Sequence, residues 1–464
     1  MAIARNNIND EQASLIRNSL TLNYDNSYKF NYNTPDKPPI IFYQTVDGVV
    51  HIPYMIASSI FQIIPNININ HAVRNFSFTG TLRVNQVSVL NEAINHLNSR
   101  GTTTLGLCCG FGKTIIAAEI ASRYNLLTVV LMHQTSLASQ WVKTFQNNTT
   151  AKIWMVGNKE PSEYDVIICM EKRWNKIPQN VRDQIGLMVI DEADVFCTPE
   201  KVQCLLSFHP RYIIIETATL ERDDEMHNMM YAIVGTHGIY REPNKPLTVT
   251  KINTGIVPVR RKTYYGKLDW EHLLQTTLFN EERNNLIVEM VRMNSQRTIL
   301  ILTRRVNHAT HLHELLTRVG IENDYMCGDR KNYTDYGVLI GTTDKLGVGF
   351  DPANLCQNYR GKPFDLLILA SSVNQYRGMV QYVGRIDRSD YPHVLHLVDD
   401  DDIYRRHWTK AHKWYKNRKA TVTTFNYKQP SKASNNYDDN VNIDNNIANV
   451  SNAWLRDKML KLNK

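Results

Sequence analysis

The stretch GFGKT at residues 110–114 follows the apolar run TTLGLCC at residues 103–109 and precedes IIAAEIA at residues 115–121. The first run is typical of a buried strand, and the last is typical of a helix. A glycine turn between a strand and a helix cradles phosphate with its backbone N–H groups and the helix N-terminus. We therefore expect the backbone of Gly110, Phe111 and Gly112 to face phosphates, Lys113 to reach the β and γ oxygens, and Thr114 to bind Mg²⁺.

This loop departs from the full phosphate-loop pattern in one position. The first glycine of that pattern would stand where the chain has Leu107, and the nearest glycine is Gly106. A turn that contains glycine and lysine by chance would give the same five residues. Motifs elsewhere in the chain must therefore decide between the two interpretations.

Length and composition limit the class of protein. The chain has 464 residues, of which 42% are hydrophobic and 21% are charged, and its formal net charge is +8. This length predicts two or three globular domains, and the mild positive charge is compatible with a polyanionic partner. Seven scattered cysteines without a C-x-x-C pair indicate a reducing compartment, not a disulfide framework or a zinc site. Without a signal-like start or a membrane-spanning apolar run, we predict a soluble intracellular protein with no membrane partner.

Alternating strand and helix patterns divide the chain into regions. Residues 79–242 and 276–425 each carry near-continuous apolar runs separated by helix-length segments, which predicts two α/β domains with parallel sheets. Residues 243–275 contain prolines and a basic run and are predicted to be a linker. Residues 1–78 carry short β-prone runs, which predicts a small β-rich accessory domain that packs on the rest or serves as a platform for nucleic acid or a partner.

The C-terminal part is unusual in composition. Residues 404–428 interleave lysine and arginine with aromatic side chains, so we expect the tryptophans to pack and part of the lysines to contact nucleic acid. Residues 426–464 are predicted to be a mostly disordered tail, because they are rich in Asn and Asp and poor in large apolar residues. Its last residues fit either a peptide that docks on a protein partner or a frayed terminus.

An acidic motif follows the apolar run LMVI at residues 187–190. The carboxylates of Asp191 and Glu192 would therefore lie at the carboxyl edge of a parallel sheet, where ligands bind. One carboxylate must hold Mg²⁺, and a neighbour must orient and deprotonate the attacking water. Asp191 suits the metal and Glu192 the base.

Two weaker features belong to the same region. Gln86 opens a predicted helix before the glycine loop, and its amide offers the donor and acceptor that reading an adenine edge requires. An exposed glutamine at a helix start is also common. The hydroxyls of Thr217 and Thr219 follow another apolar run and would join the metal site to the rest of the domain, although an ordinary turn fits them as well.

The second α/β region supplies cations. Gln381, Arg385 and Arg388 are spaced four and three residues apart, so they would share one face of a predicted helix. Two guanidinium groups from a domain other than the one with the glycine loop are typical of arginine fingers. A solvated basic helix face is the alternative.

The order of these motifs resembles that of superfamily 2 helicases and translocases over about residues 80–400. TATLERDD at residues 217–224 is similar to the XPB-like branch. CGFGKT at residues 109–114 is similar to the loop of poxvirus transcript-release DNA helicases and phage UvsW-like helicases. The sequence Asp-Glu-Ala-Asp at residues 191–194 also matches DEAD-box RNA helicases, but HQTSL at residues 133–137 and Tyr382-Val383 differ from their motifs.

The resemblance implies two tandem RecA-like parallel-sheet domains, with ATP and Mg²⁺ as cofactors and nucleic acid as the partner. It places Gly349, Asp351 and Gln381 in the nucleotide site, and it makes TSLASQW at residues 135–141 a strand-contacting motif. Two departures stand out. Only nine residues separate Gly328 from Val338, too few for the helix that most relatives carry there, and Tyr382 stands where many relatives have arginine.

These features predict an ATP-dependent helicase or translocase that acts on DNA in transcription termination, recombination or repair. An RNA helicase or remodeller, and a non-catalytic nucleic-acid clamp on a decayed motor, are the alternatives. The Asn-, Ile- and Tyr-rich composition suggests the AT-biased genome of a large DNA virus. The protein would then act in the host cytoplasm or nucleus, or be packaged in the virion.

Overall fold

The structure is a computed structural model that describes residues 1–22, 39–217, 226–243, 245–347 and 350–427. The chain divides into two compact units, Met1–Glu242 and Pro243–Lys464. Within the described ranges, no helix has the length and apolar character needed to cross a membrane. Ala218, Thr219 and Gly349 lie outside the described residues, as does most of the tail predicted to be disordered.

The N-terminal part of the first unit is small and mixed in structure. Its elements are β1 (Ala2–Ala4), α1 (Asp10–Ser19), β2 (Thr21–Leu22), β3 (Ile40–Ile41), β4 (Gln44–Val46), β5 (Val49–His51) and α2 (Tyr54–Phe61). A sheet of order β1-β5-β4 is antiparallel. Its buried side chains, such as Leu20 and Phe42, share one hydrophobic cluster with Met229 and Ala232 of the α/β part. Described residues of the predicted accessory domain therefore pack as part of the first unit.

The rest of the first unit is an α/β structure around a seven-stranded sheet of order β12-β6-β11-β10-β7-β9-β8, in which every pair is parallel. Its elements are α3 (Val84–Arg100), β6 (Thr102–Leu107), α4 (Lys113–Tyr124), β7 (Thr128–Met132), α5 (Thr135–Asn148), β8 (Ile153–Met155), β9 (Val166–Met170), α6 (Gln179–Arg182), β10 (Leu187–Asp191), α7 (Pro199–Leu206), β11 (Tyr212–Thr217), α8 (Asn228–Val234) and β12 (Ile239–Arg241).

Burial explains why the apolar runs became these strands. Every residue of β6, β7 and β10 is buried, because helices cover both faces of the sheet. Alternate residues of the strands belong to two different hydrophobic clusters, one on each face. The ends of β6, β10 and β11 meet at one edge of the sheet, and this edge carries the glycine loop and the acidic motif.

The second unit contains another seven-stranded parallel sheet, of order β15-β16-β14-β17-β18-β13-β19. Its elements are β13 (Thr248–Asn253), α9 (Trp270–Leu278), α10 (Glu281–Met293), β14 (Ile299–Thr303), α11 (Val306–Arg318), β15 (Asp324–Met326), β16 (Val338–Thr342), α12 (Thr343–Leu346), α13 (Pro352–Leu355), β17 (Leu366–Leu369), α14 (Tyr376–Val383), β18 (His393–Val398), α15 (Asp402–Asn417) and β19 (Thr421–Asn426).

Two predictions for this unit meet different outcomes. The segment 243–275, predicted as a linker, contains β13, which lies inside the second sheet between β18 and β19. Its pattern TVTKIN buries Val249 and Ile252 between polar residues, so the strand is not a continuous apolar run and the nearby prolines obscured it. In contrast, residues 327–337 contain no helix, as the short spacing predicted.

Candidate functional site

The glycine loop of the first unit connects β6 to α4. Gly110 and Gly112 have φ values of 77° and 98°, a left-handed backbone that glycine adopts without strain. A Cβ atom on Gly112 would lie only 2.2 Å from Nε2 of Gln86. The absence of a side chain at this position therefore lets the start of α3 approach the loop.

Gln86 lies in the first turn of α3 and is buried. Its Nε2 donates to the carbonyl oxygen of Phe111 at 2.8 Å, and its Oε1 accepts from the backbone N–H of Arg83 at 2.8 Å. The Arg83 guanidinium also donates to the carbonyl oxygens of Gly110 and Phe111. The structure thus brings Gln86 to the loop, where its amide holds the loop backbone. Its predicted role in reading adenine stays a prediction.

Lys113 begins α4 and lies under the loop. Its Nζ donates to the carbonyl oxygen of Leu107 at 3.0 Å. Burial by itself lowers the pKa of Lys113, but nearby acidic groups outweigh burial and raise it above the ordinary value. These groups are Cys109, Glu192, Glu216 and Asp191. The ammonium group therefore stays charged beside three carboxyl groups.

Asp191 ends β10 and is buried. Burial and the charge of Glu192 raise its pKa to about 6, while a hydrogen bond from Trp141 and the charge of Lys113 act in the opposite direction. The indole Nε1 of Trp141 donates to Oδ2 of Asp191 at 2.8 Å. Trp141 lies on α5, in the motif predicted to contact a nucleic-acid strand. The sequence contained the tryptophan but did not indicate this bond, since fifty residues separate the two partners.

Glu192 directly follows β10 and has φ 53° and ψ 53°. A non-glycine residue in this left-handed region is uncommon, and such strain is concentrated at functional sites. The next residues form a short 3₁₀ helix, Ala193–Phe196, and within it Oδ1 of Asp194 accepts a hydrogen bond from Thr217 at 3.4 Å. Thr217 is therefore joined to the acidic motif. The other residues of its predicted motif lie outside the described part of the chain.

Glu216 is a member of this site that the sequence reasoning missed. It lies on β11, with Asp191 of β10 as its neighbour on one side and Leu105 of β6 on the other. Its side chain has no exposed surface, and neither carboxyl oxygen has a hydrogen-bond partner in the part of the chain that the structure describes. Burial raises its pKa well above the ordinary value, the charge of Asp191 adds to this effect, and Lys113 opposes it. A glutamate inside the apolar run YIIIET was the available signal.

In the second unit, the structure corrects the prediction that residues 381–388 form one helix. The helix α14 ends at Val383, and the residues that follow Gly384 form turns. Glycine favours this ending because it stabilises helices poorly. Gln381 is buried in the helix, whereas Arg385 and Arg388 lie in the turns. The three residues consequently do not share a helical face.

The two arginines have different surroundings. The Arg385 guanidinium donates to the carbonyl oxygens of Phe350 at 2.8 Å and Gly347 at 2.6 Å, so it holds the loop after α12. Arg388 is exposed, and its Nη1 lies 3.5 Å from Oδ1 of Asp351. A Cβ atom on Gly347 would lie 2.5 Å from the Tyr382 ring, so Tyr382 packs closely on the same loop. Tyrosine at this position therefore has a packing role.

The carboxyl edge of the second sheet contains a cavity of about 400 Å³. Its lining includes Trp270, Arg304, Thr343, Ser371, Asn374 and His407. The Ser371 hydroxyl accepts from the backbone N–H of Arg304 at 2.9 Å and lies 3.1 Å from the Thr303 hydroxyl, which fixes the floor of the cavity. On α15, Trp414 and Tyr415 are buried, while Lys410, Lys413 and Lys416 are exposed. The prediction that Trp414 packs is confirmed.

Comparisons with known proteins agree with this geometry. Residues 79–222 match the family described as "Type III restriction enzyme, res subunit". The chain is similar to protein 161L of Invertebrate iridescent virus 6, which is named as a candidate helicase, with 28% identity over 454 residues that cover 90% of this chain and 98% of that protein. It is also similar to transcript termination protein A18 of Fowlpox virus, with 20% identity over 324 residues that cover 62% and 66% of the two chains.

Among solved structures, the chain is similar to that of S. cerevisiae Dbp5 bound to RNA and ADP BeF3. The TM-score is 0.52, the identity is 14%, and the match covers 72% of this chain and 89% of that chain. At this identity the similarity shows the fold alone. Both parallel sheets with their covering helices are RecA-like α/β domains in tandem.

Proposed function

We propose that the chain, which is related to the superfamily 2 helicases, is an ATP-driven translocase that moves along nucleic acid, with DNA as the favoured substrate. The observation that carries the proposal is the position of charged Lys113 between the glycine loop and the carboxyl groups of Asp191 and Glu192. A cation under a phosphate loop, beside carboxylates at a sheet edge, suits a phosphate ester that carries Mg²⁺.

The residues of the first unit fit the nucleotide and its metal. In the proposal, the backbone of Gly110, Phe111 and Gly112 and the side chain of Lys113 hold the phosphates, while Thr114 and Asp191 hold Mg²⁺. The ion, when bound, neutralises charge on the phosphate oxygens. Carboxyl groups that have few partners and are largely buried, as at Asp191, are suitable oxygen ligands for a hard cation. Glu192 accepts the proton of the attacking water.

The second unit completes the proposed site when the two units close on ATP. Gly349, Asp351 and Gln381 belong to this nucleotide site in the proposal. Of the two arginines, Arg388 is the better candidate for the transition-state contact, because it is exposed and its ion pair with Asp351 is long at 3.5 Å. Arg385 supports the loop that carries Asp351, the ion-pair partner of Arg388. Hydrolysis then reopens the units and moves the bound strand.

Nucleic acid is proposed to lie along the carboxyl edge of the second sheet. The cavity there offers the Arg304 guanidinium, the hydroxyls of Thr343 and Ser371, and the ring of Trp270. Such groups bind a sugar-phosphate backbone and stack on bases. The exposed lysines of α15 would add charge, so affinity should fall as salt rises. By analogy with the transcript termination relative, transcription termination is one proposed role, beside recombination and repair.

Steady-state ATP hydrolysis by the full chain, with and without nucleic acid, tests the proposal. We expect single-stranded nucleic acid to stimulate turnover and Glu192→Gln to abolish it. The proposed translocase function would be contradicted if nucleic acid did not change the turnover of wild type. It would also be contradicted if the Glu192→Gln variant were as active as wild type. Single-stranded DNA and RNA of equal length separate the DNA enzyme from an RNA remodeller. Absence of any turnover would favour the non-catalytic clamp.

A further inference from the structure

Glu216 has no role in the function proposed above, although it lies inside the same site. Its side chain is fully buried, and among the described residues neither of its carboxyl oxygens has a hydrogen-bond partner. Burying an acid without partners costs several kcal/mol, whereas an apolar side chain of similar volume at this position would cost nothing of that kind. A carboxyl group buried at this cost is expected to gain a partner in another state of the protein.

The register of the sheet fixes what Glu216 faces. In parallel strands, directly paired residues project to the same face of the sheet. Glu216 pairs with Asp191 on β10 and with Leu105 on β6, and the apolar side chains on this face, Leu105, Leu107, Val189 and Ile214, pack with α4. Glu216 therefore lies between the strand that ends in the glycine loop and the strand that ends in the acidic motif, on the side where α4 begins with Lys113.

The charge of this site points to the missing partner. Lys113 is the cation that faces Glu216, and Asp191 and Glu192 are like-charged neighbours. The site thus has three carboxyl groups near one ammonium group, and a further cation would find more acidic than basic neighbours there. Mg²⁺ keeps several of its waters when it binds to protein carboxylates and substrate phosphates, and each of these waters needs an acceptor.

We propose that Glu216 is a positioning residue for the Mg²⁺ of the bound nucleotide, and that it accepts a hydrogen bond from a water of the metal. This inference rests on the proposed function, since it requires a metal nucleotide under the glycine loop. It assigns a third carboxyl group to the site, beside Asp191 and Glu192. Asp191 remains the residue that contacts the ion, and Glu216 acts through the water.

The test measures metal binding directly. Mn²⁺ replaces Mg²⁺, and its binding to the full chain with ADP is followed by electron paramagnetic resonance; ADP binding in EDTA is measured separately by calorimetry. Glu216→Gln keeps the shape and an acceptor oxygen but cannot ionise, and Glu216→Leu also removes the acceptor. Glu119→Gln is the matched control, because Glu119 is buried on α4 but pairs with Arg123 away from the site.

We expect Glu216→Gln to weaken Mn²⁺ binding about 10-fold or more, the usual effect of removing a partner of a metal-bound group. Glu216→Leu should weaken it at least as much, while metal-free ADP binding stays the same or improves and Glu119→Gln behaves like wild type. Wild-type Mn²⁺ affinity in both Glu216 variants would overturn the inference and leave the proposed function intact. If wild type bound no Mn²⁺ with ADP, the proposed function would fall and this inference with it.

Discussion

The carboxyl edges of the two sheets have the same architecture but different chemistry. In the first unit, the edge gathers the carboxyl groups of Asp191, Glu192 and Glu216 around Lys113. In the second, the cavity at the edge is lined by hydroxyls, side-chain amides, an exposed guanidinium, an imidazole and an indole, with one carboxyl group, that of Asp344. The first set suits a metal cation with phosphates, and the second suits a phosphodiester backbone. Equivalent folds therefore differ in chemistry through the side chains at strand ends.

The cations at these edges differ in a second way. Lys113 is the counter-charge of a buried acidic site and has one backbone contact, at Leu107. The Arg385 guanidinium donates hydrogen bonds to two backbone carbonyls of its own unit. The lysine is thus available to a ligand, and the arginine is part of the scaffold. Substitution of each residue tests this distinction.

The largest effect is expected from Lys113→Ala. We expect kcat/KM for ATP to fall about 1,000-fold, because the variant loses a contact that strengthens as charge develops on the phosphates. Its thermal unfolding temperature should fall, since the buried carboxyl groups around the lysine lose their counter-charge, so activity is compared at a temperature where the variant is folded. Steady-state kinetics and calorimetry measure the two quantities. Lys159→Ala, an exposed lysine of the same unit, is the control, and equal activity of both variants would refute the role of Lys113.

Arg385→Ala should combine a kinetic and a structural effect. Loss of the bonds to Gly347 and Phe350 should lower the free energy of unfolding of the second unit by about 2 kcal/mol, the range for bonds from charged donors. Turnover should fall about 10-fold or more, because the loop that holds Asp351 loses its support. Chemical denaturation measures the first effect. An unchanged denaturation midpoint, compared with Arg360→Ala, would contradict the scaffold role.

Trp141→Phe should change the pH dependence of ATP turnover. Asp191 must be ionised to hold Mg²⁺, and its pKa is about 6, so kcat/KM should fall as pH drops through this value. The Trp141 hydrogen bond favours the ionised form, so its loss should raise the pKa and move the acid limb to higher pH, with a several-fold loss at neutral pH. Trp154→Phe is the control, because Trp154 is also buried but its indole N–H has no partner within the described residues. Identical acid limbs in both variants would exclude this coupling.

The smallest effect is expected on the surface of α15. Charge reversal at Lys410, Lys413 and Lys416 should weaken binding of single-stranded nucleic acid a few-fold and reduce the slope of log affinity against log salt. Fluorescence anisotropy at several salt concentrations measures both. Unchanged affinity and slope would restrict the nucleic-acid surface to the cavity with Arg304.

Much of the fold could be predicted, because fully buried parallel strands are continuous apolar runs. The run at residues 366–369 is β17 without change, and the run at residues 187–190 is β10 with one added residue. The strand β13 could not be predicted in this way, because polar residues interrupt it. The end of α14 depends on Gly384 and on contacts that Arg385 makes with a loop more than thirty residues away in sequence.

The candidate site was predictable where a local pattern carries the chemistry. The loop that contains Lys113 and the acidic pair Asp191 and Glu192 are such patterns, and the structure brings them together. Glu216 and Trp141 belong to the site only through strand register and helix packing, which a local pattern does not contain. The roles of these residues stay proposals for experiment.

In the proposed function ATP turnover requires residues of both units, and Arg388→Ala tests this requirement most directly. Turnover with saturating single-stranded DNA should fall about 100-fold or more, as expected for loss of an arginine that stabilises the transition state, while ADP binding by the first unit changes little. Arg318→Ala, an exposed arginine of the second unit, should behave like wild type. Wild-type turnover by Arg388→Ala would show that ATP hydrolysis does not depend on this arginine of the second unit.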